Sequence, residues 1–187
     1  MLAFPQFTTH RLFIRHVQPK DAEAVLRYYQ NNRRHLAQWE PIKPKDFYDL
    51  EACRQRLTKM QEFFINDSAV HFLAFDRQQD QLAAIANFTG ITRAAFQACY
   101  LGFSVSEHYQ SQGVMREFLP PCLNYMLGHK NLNRIMANHL PHNERSAKLL
   151  QHLGFEKEGY AKRYLKIAGV WQDHILRAKV RPAADSD

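Results

Sequence analysis

Residues 97–126 read QACYLGFSVSEHYQSQGVMREFLPPCLNYM, and this stretch decides the fold that we expect for the whole chain. Its first part alternates between two faces up to Val105, which is the period of a β-strand. A polar loop, residues 106–112, leads to Gly113, after which apolar residues recur at helical spacing as far as Met126. A strand, a short loop with a glycine and a helix N-terminus together form an anion-binding device. The first N–H groups of a helix have no internal partner, and the helix dipole adds partial positive charge there.

The composition of the 187 residues predicts one globular domain, at residues 1–180, followed by a flexible tail at 181–187. We see no membrane-length apolar run and no signal peptide, so we expect a cytoplasmic protein without a membrane partner. Cys53, Cys99 and Cys122 lack metal-like spacing and predict reduced thiols. The net charge of +7 favours a polyanionic neighbour such as CoA or RNA. The basic residues are dispersed, so we expect no specific nucleic-acid recognition.

Hydrophobic periodicity along the chain predicts an α/β (α+β) protein with about seven strands, mostly antiparallel, and helices on both faces of the sheet. The predicted strands cover residues 8–17, 69–76, 82–91, 96–105, 133–140, 155–167 and 170–180. Four helices are predicted. The first begins near Pro19, the second after an N-cap at Asp46, the third after Gly113 and the fourth after an N-cap at Asn143. Pro120 and Pro121 fall inside the third of these helices, so we expect it to kink or break near Leu119.

Two segments carry a resemblance to a known family. Residues 110–115, Q-S-Q-G-V-M, resemble the Q/R-x-x-G-x-G/A pyrophosphate loop of the GNAT superfamily of acetyl-CoA-dependent N-acetyltransferases, apart from the methionine in the last position. Asn143 and Ser146 open the segment N-x-x-S-x-x-L-x-x-x-G-F, which is typical of the RimJ/RimL branch of that superfamily. The string R-I-M-A-N-H-L-P-H-N-E-R-S around them is more specific. The resemblance covers nearly the whole chain, from Thr8 to His174.

This resemblance implies a GNAT fold, in which the sheet is splayed after Val105 and the pantetheine arm of acetyl-CoA lies in the gap. It implies transfer of an acetyl group from acetyl-CoA to the N-terminal alanine amine of a small-subunit ribosomal protein. The attack is direct, without an acyl-enzyme and without a metal. Two alternatives stay open. One is a CoA-binding module that associates with ribosomal particles, and the other is an N-acetyltransferase for a small amine such as an antibiotic or polyamine.

The resemblance also implies roles for individual residues. Ser146 would donate a hydrogen bond or proton to the CoA sulfur, and Asn143 would contact the cofactor arm, although both residues also fit a helix start. Trp39 and Glu40 would form the substrate-side wall, although Trp39 also fits ordinary core packing. The implied cofactor contacts are Phe103, Ser104, Val105, Gln110, Ser111, Gln112, Gly113, Val114, Met115, Asn138, Asn143 and Ser146.

The identity of the general base stays open. In RimL-like relatives a glutamate stands where this chain has Leu165, and leucine cannot accept a proton. His139 and His142 lie near the expected site, but no acidic partner is spaced to form a metal site with them. The side chains that remain as possible bases acting through water, each of which also fits a surface or supporting role, are Glu40, Glu107, Asp173 and His174.

Overall fold

A computed structural model describes residues 4–182, which form an eight-stranded sheet and five α-helices. The strands are β1 (Gln6–Thr8), β2 (Leu12–His16), β3 (Ala69–Asp76), β4 (Leu82–Thr92), β5 (Ala98–Val105), β6 (Arg134–Met136), β7 (Glu156–Ile167) and β8 (Val170–Val180). The helices are α1 (Ala22–Asn31), α2 (Arg33–Ala37), α3 (Leu50–Ile65), α4 (Val114–Asn124) and α5 (Glu144–His152). The strand order is β1-β2-β3-β4-β5-β6-β8-β7, and each neighbouring pair is antiparallel except β5–β6. The predicted mixed, mostly antiparallel sheet is confirmed.

The helices cover both faces of this sheet, as expected. On one face, Phe118 of α4 and Leu150 of α5 belong to a core cluster with Phe72 of β3, and all three are fully buried. On the other face, Val25 of α1 and Leu57 of α3 pack with the alternate residues of β3. Successive side chains of a strand point to opposite faces, so β3 supplies both clusters.

The strand β5 is paired unequally on its two sides. Its partner β4 follows it along its whole length, from Ala98 to Val105. Its other neighbour, β6, pairs with it only over Ala98–Tyr100. The remaining part of β5 has a free backbone edge on that side, which confirms the predicted split in the sheet.

The N-terminal segment forms two strands where one was predicted. The chain turns back between β1 and β2, and the Thr9 N–H donates to the Leu12 carbonyl at 2.9 Å across this turn. Glu117 of α4 holds the turn, because one of its carboxylate oxygens accepts from the Thr9 hydroxyl at 2.6 Å and from the Arg11 N–H at 2.7 Å. The prediction of a single strand over residues 8–17 is therefore wrong.

The start of α3 also differs from the prediction. Asp49, not Asp46, is the N-cap, since its carboxylate accepts from the Ala52 N–H at 2.9 Å and its backbone is extended. Asp46 lies one turn earlier, inside the 3₁₀ turn Lys45–Tyr48. Phe47 is buried in that turn and fixes its position, which leaves Asp49 at the helix entrance.

The two prolines do not break α4. The helix is continuous from Val114 to Asn124 with Pro120 and Pro121 inside it, so of the expected kink or break near Leu119 the break does not occur. Packing maintains the helical path, because the helix is anchored in the core by neighbouring residues that are fully or almost fully buried. These are Phe118, Leu119, Cys122 and Leu123. The irregularity lies further on, where Tyr125–His129 form a wider, π-type turn.

The strand predicted over residues 133–140 is shorter, since only Arg134–Met136 pair as β6. Beyond it the Asn138 amide oxygen accepts from the Arg177 N–H at 3.3 Å and takes the place of a backbone partner. His139 then resumes contact with β8 as an isolated bridge to Ile175. Of the predicted tail, residues 183–187 lie outside the described part of the chain.

Between residues 4 and 182, no helix combines the length and the apolar character that are needed to cross a bilayer.

Candidate functional site

A cleft of about 330 Å³ opens where β5 loses its second partner strand. Its walls come from the end of β5, the loop before α4, the first turns of α4 and α5, and the segment from α2 onward. The predicted site residues that line it are Trp39, Glu40, Phe103, Ser104, Val105, Gln110, Ser111, Gly113, Val114, Met115, Asn143 and Ser146. The fold thus brings together segments that are about a hundred residues apart in the chain.

Two predicted cofactor contacts lie outside this lining. Gln112 accepts from the Arg11 guanidinium with its carbonyl at 2.8 Å and donates with its side chain to the His108 carbonyl. Asn138 donates its amide to the Tyr164 hydroxyl at 3.0 Å. Both side chains are therefore used in holding neighbouring segments.

The loop before α4 has the geometry of an anion-binding site. Gly113 is the N-cap with φ +77°, in the left-handed region that favours glycine, and Ser111 also has a positive φ of 60°. The first bond of the helix runs from the Glu117 N–H to the Gly113 carbonyl at 3.2 Å. The N–H groups of residues 114–116 therefore remain available, and the helix dipole points its positive end at them.

Met115 stands where the family motif has glycine or alanine, and the structure shows how it is accommodated. The residue is 9% exposed and belongs to the same core cluster as Phe118 and Leu119 of α4. A large side chain at this position therefore packs mainly inward, while the backbone N–H stays at the helix entrance.

Cations surround the cleft. Arg116 of α4, and Arg145 and Lys148 of α5, line it and are exposed. Lys148 lies 3.4 Å from Glu144, but both side chains are about three-quarters exposed, so that pair is weak. A phosphate-rich ligand such as CoA fits this positive, glycine-opened cleft. These three residues were not predicted, and their only signal in the sequence is basic charge next to the two motifs.

Gln110 connects three walls of the cleft. Its amide oxygen accepts from the Arg145 guanidinium at 2.5 Å, and its amide nitrogen lies 2.9 Å from the His35 ring nitrogen Nε2. His35 belongs to α2 and Arg145 to α5, so one side chain holds the loop between both helices. His35 also lines the cleft and was not predicted.

Asn143 and Ser146 occupy the entrance of α5. Asn143 is the N-cap, and its amide oxygen accepts from the Ser146 N–H at 3.1 Å. The Ser146 hydroxyl makes no hydrogen bond with any other described residue, although it is only partly exposed in the cleft wall. Capping therefore depends on Asn143, and the serine hydroxyl remains available.

The opposite wall is aromatic and acidic. The Trp39 ring lies 5.7 Å from the His142 ring at an interplanar angle of 33°, and Trp39 belongs to neither core cluster. Ordinary core packing therefore does not account for Trp39. The Glu40 carboxylate lies 2.8 Å from the Lys43 ammonium, and the Glu40 carbonyl accepts from the Ala168 N–H at 3.0 Å.

Of the four acidic or basic candidates for the general base, Glu40 lines the cleft and the other three do not. Glu107 is exposed. Asp173 accepts from the Tyr160 hydroxyl and from the Arg163 N–H, and the first of these bonds is the main cause of its lowered pKa. His174 is 3% exposed, and burial lowers its pKa.

Leu165 and His139 complete the set of positions considered from the sequence. Leu165 is an exposed side chain on β7, outside the cleft lining. His139 is buried, and its ring accepts from the Arg177 guanidinium at 3.2 Å. Burial lowers the pKa of His139, so it is a neutral structural histidine.

The three cysteines are buried, and none of them lines the cleft. Burial raises the pKa of the Cys99 thiol to about 12, and it also raises the pKa values of Cys53 and Cys122. A thiol that is not ionised is a poor nucleophile. In the part of the chain that is described, no three His, Cys, Asp or Glu side chains converge as metal ligands would.

Known proteins are similar to this chain in sequence and fold. The chain matches the family model described as an acetyltransferase (GNAT) domain over residues 11–156. It is 42% identical over 177 residues to the [ribosomal protein uS5]-alanine N-acetyltransferase of Escherichia coli (strain K12), covering 95% of this chain and 91% of that protein.

Solved structures of related acetyltransferases are also similar to this chain. Ribosomal-protein-S5-alanine acetyltransferase of Vibrio fischeri is similar with a TM-score of 0.91 at 38% identity, over 94% of this chain and 96% of the other. Mycobacterium smegmatis RimJ in complex with CoA-disulfide has a TM-score of 0.84 at 25% identity, over 90% and 81% of the two chains. The chain belongs to the GNAT acetyltransferase family, which confirms the predicted fold, the predicted enzyme class and acetyl-CoA as the acetyl donor.

Proposed function

We propose that this acetyltransferase acts on the N-terminal α-amine of a ribosomal protein, and that the alanine N-terminus of uS5 is its acceptor. One geometric observation supports a polypeptide acceptor. A second cavity, of about 450 Å³, lies between α2 and the tip of the β7–β8 hairpin, and Leu36 and Glu40 line both this cavity and the cofactor cleft. We call it the acceptor groove, because a chain lying in it reaches the cleft with one end.

We assign acetyl-CoA binding to the loop before α4 and to the entrances of α4 and α5. Acetyl-CoA supplies an activated acetyl group as a thioester. The N–H groups of residues 114–116 and the cations Arg116, Arg145 and Lys148 bind its phosphates. Asn143 orients the pantetheine arm at the free edge of β5. The Ser146 hydroxyl donates a hydrogen bond to the sulfur, where negative charge develops as the C–S bond breaks.

The acceptor amine needs little help from the protein to lose its proton. An α-amino group has a reference pKa of about 7.7–8.0, so an appreciable fraction is already neutral near neutral pH. Glu40 lines the cleft and accepts the proton of the incoming amine through water, and Trp39 limits the space around the first side chain. Holding amine and thioester together provides much of the rate. The buried thiols are not needed, since the amine attacks the thioester directly.

An acceptor of this kind has consequences for location and partners. Ribosomal proteins are made and assembled in the cytoplasm, so we place the enzyme there, in contact with ribosomal proteins or particles. The net charge of +7 supports an encounter with RNA-rich particles by long-range attraction rather than by base recognition.

A peptide assay tests the proposal against both alternatives. Purified protein is incubated with acetyl-CoA and either the uS5 N-terminal peptide, the same peptide with a blocked amine, or a polyamine. Mass spectrometry should find one acetyl group on the free α-amine of the first peptide and none on the blocked one. Acetylation of the polyamine without the peptide favours a small-molecule enzyme. CoA binding without transfer to any acceptor favours a binding module.

A further inference from the structure

The charges of the acceptor groove are unequal. Four charged side chains line it, and these are Arg33, Glu40, Lys43 and Lys45. Lys43 and Glu40 form an ion pair at 2.8 Å and largely neutralise each other. Neither Arg33 nor Lys45 forms an ion pair with any carboxylate of the described residues. The groove therefore carries two uncompensated positive charges.

An aromatic ring holds Arg33 in place without neutralising it. The Arg33 guanidinium lies 4.9 Å from the centre of the Tyr48 ring, which restrains it against the groove wall. The Arg56 guanidinium lies 4.2 Å from the centre of the ring of Phe47, a residue of the 3₁₀ turn that also contains Lys45. The adjacent carboxylate of Asp49 is committed to the N-cap of α3.

The remaining nearby carboxylate is on Asp46. It is exposed in the 3₁₀ turn next to Lys45 and does not line the groove. A ligand in the groove therefore faces more positive than negative charge.

Glu40 sets the direction of a bound peptide, because it is shared with the cofactor cleft, where the amine must arrive. An extended chain advances about 3.3–3.6 Å per residue, so a peptide whose amine lies beside Glu40 carries its next few residues into the groove. The side chains that meet Arg33 and Lys45 are thus those that follow the acetylated residue by a few positions.

We propose that Arg33 and Lys45 are specificity residues that select acceptors with an aspartate or glutamate a few positions after the acetylated residue. This inference rests on the proposed function, since it concerns the same acceptor site. Complementary charge discriminates against acceptors that place lysine or arginine in the groove, as well as favouring acidic ones.

Paired peptides and paired variants test the inference. Two peptides begin with alanine and differ only in glutamate or glutamine at positions 3 to 5. We expect the wild type to prefer the acidic peptide by about threefold to tenfold in kcat/KM, mainly through KM. In the double variant Arg33→Gln, Lys45→Gln, the ratio of kcat/KM for the acidic peptide to that for the neutral one should fall close to one. Added salt should lower the same ratio in the wild type.

The matched control is Arg34→Gln, because Arg34 is exposed beside Arg33 and does not line the groove. It should keep the wild-type ratio. An equal rate for both peptides in the wild type, or an undiminished ratio in the double variant with a native melting temperature, overturns the inference.

Peptide binding to the CoA-loaded protein separates the two proposals. Absence of acetylation of every peptide contradicts the proposed function. Even then, tighter binding of the acidic peptide that is lost in the double variant supports the charge selection, and equal binding of both peptides contradicts it.

Discussion

Ser146 and Asn143 stand three residues apart at the entrance of α5, and the hydrogen bond that caps the helix comes from the Asn143 side chain. Since Asn143 supplies the cap, Ser146→Ala should leave the melting temperature nearly unchanged. It should lower kcat by about tenfold to a hundredfold with little change in acetyl-CoA affinity, because the lost hydrogen bond strengthens only as charge develops on sulfur. Calorimetry and steady-state kinetics on the same variant check this. A lowered melting temperature with wild-type kcat would assign the hydroxyl to structure.

Substitution of Asn143 should lower the stability as well as kcat. Asn143→Ala removes the acceptor of the Ser146 N–H and should lower the stability by about 1 kcal/mol, with a fall in kcat because Ser146 is no longer held. Asn143→Asp keeps the capping oxygen and should restore most of the stability. Thermal unfolding of the two variants checks the prediction. Equal loss of stability in both would show that the cap does not depend on that oxygen.

The start of α3 provides a test with a control three residues away. Asp49→Ala should lower the stability by about 1 kcal/mol, since it leaves the Ala52 N–H without its partner. Asp46→Ala should change it by less than half of that, because Asp46 is exposed and caps no helix. Urea unfolding of both variants decides which aspartate begins the helix, and the reverse order of effects would restore the assignment from the sequence.

Long alternating runs predicted the sheet well. The bounds of β3 and β8 match the prediction, and those of β4, β5 and β7 differ from it by at most two residues. The errors came where contacts between residues far apart in the chain determine the local structure. The turn between β1 and β2 depends on Glu117, which is 106 residues from Arg11. The continuity of α4 through Pro120 and Pro121 depends on core packing, which a local helix rule does not include.

In the candidate site, too, residues with a local signature were predicted and residues placed by distant contacts were not. The motif residues Gly113 and Asn143 were found because their backbone roles leave a local signature in the sequence. Arg145 and His35 were missed because their contact with Gln110 depends on how three separate segments meet. Gln112 and Asn138 stand close to the motifs in sequence, but their side chains are engaged elsewhere.

The whole molecule should lose stability in mild acid through buried histidines. His16 is fully buried between Phe4 and Phe64, and burial lowers its pKa to about 4. Burial also lowers the pKa of His71. The unfolded chain takes up these protons below about pH 6.5, and the folded chain does so only at lower pH. Stability is therefore complete above about pH 6.5 and falls towards pH 4, by about 3 kcal/mol for His16.

Urea unfolding at about pH 7.5 and about pH 5 measures this loss. His16→Phe keeps a ring in the aromatic cluster and should show a smaller difference between the two pH values than the wild type. The control His10→Gln, at an exposed position, should keep the wild-type difference. An unchanged acid loss in His16→Phe would show that other groups cause it.

The described residues form one continuous sheet, and the cleft draws on segments from α2 to α5. A single domain over residues 1–180 with a flexible tail stays a prediction. The site depends on the whole arrangement, since the free edge of β5, the entrance of α4 and the entrance of α5 meet only when the sheet is complete.

The acceptor is best tested on whole ribosomal proteins. Small-subunit proteins that lack N-terminal acetylation are incubated with the purified enzyme and acetyl-CoA, and intact-mass spectrometry then records which of them gain an acetyl group. We expect uS5 to gain one, peptide mapping to place it on the α-amine of its N-terminal alanine, and Ser146→Ala to slow the gain. Acetylation of lysine side chains only, or of no ribosomal protein while CoA still binds, would contradict the proposed function.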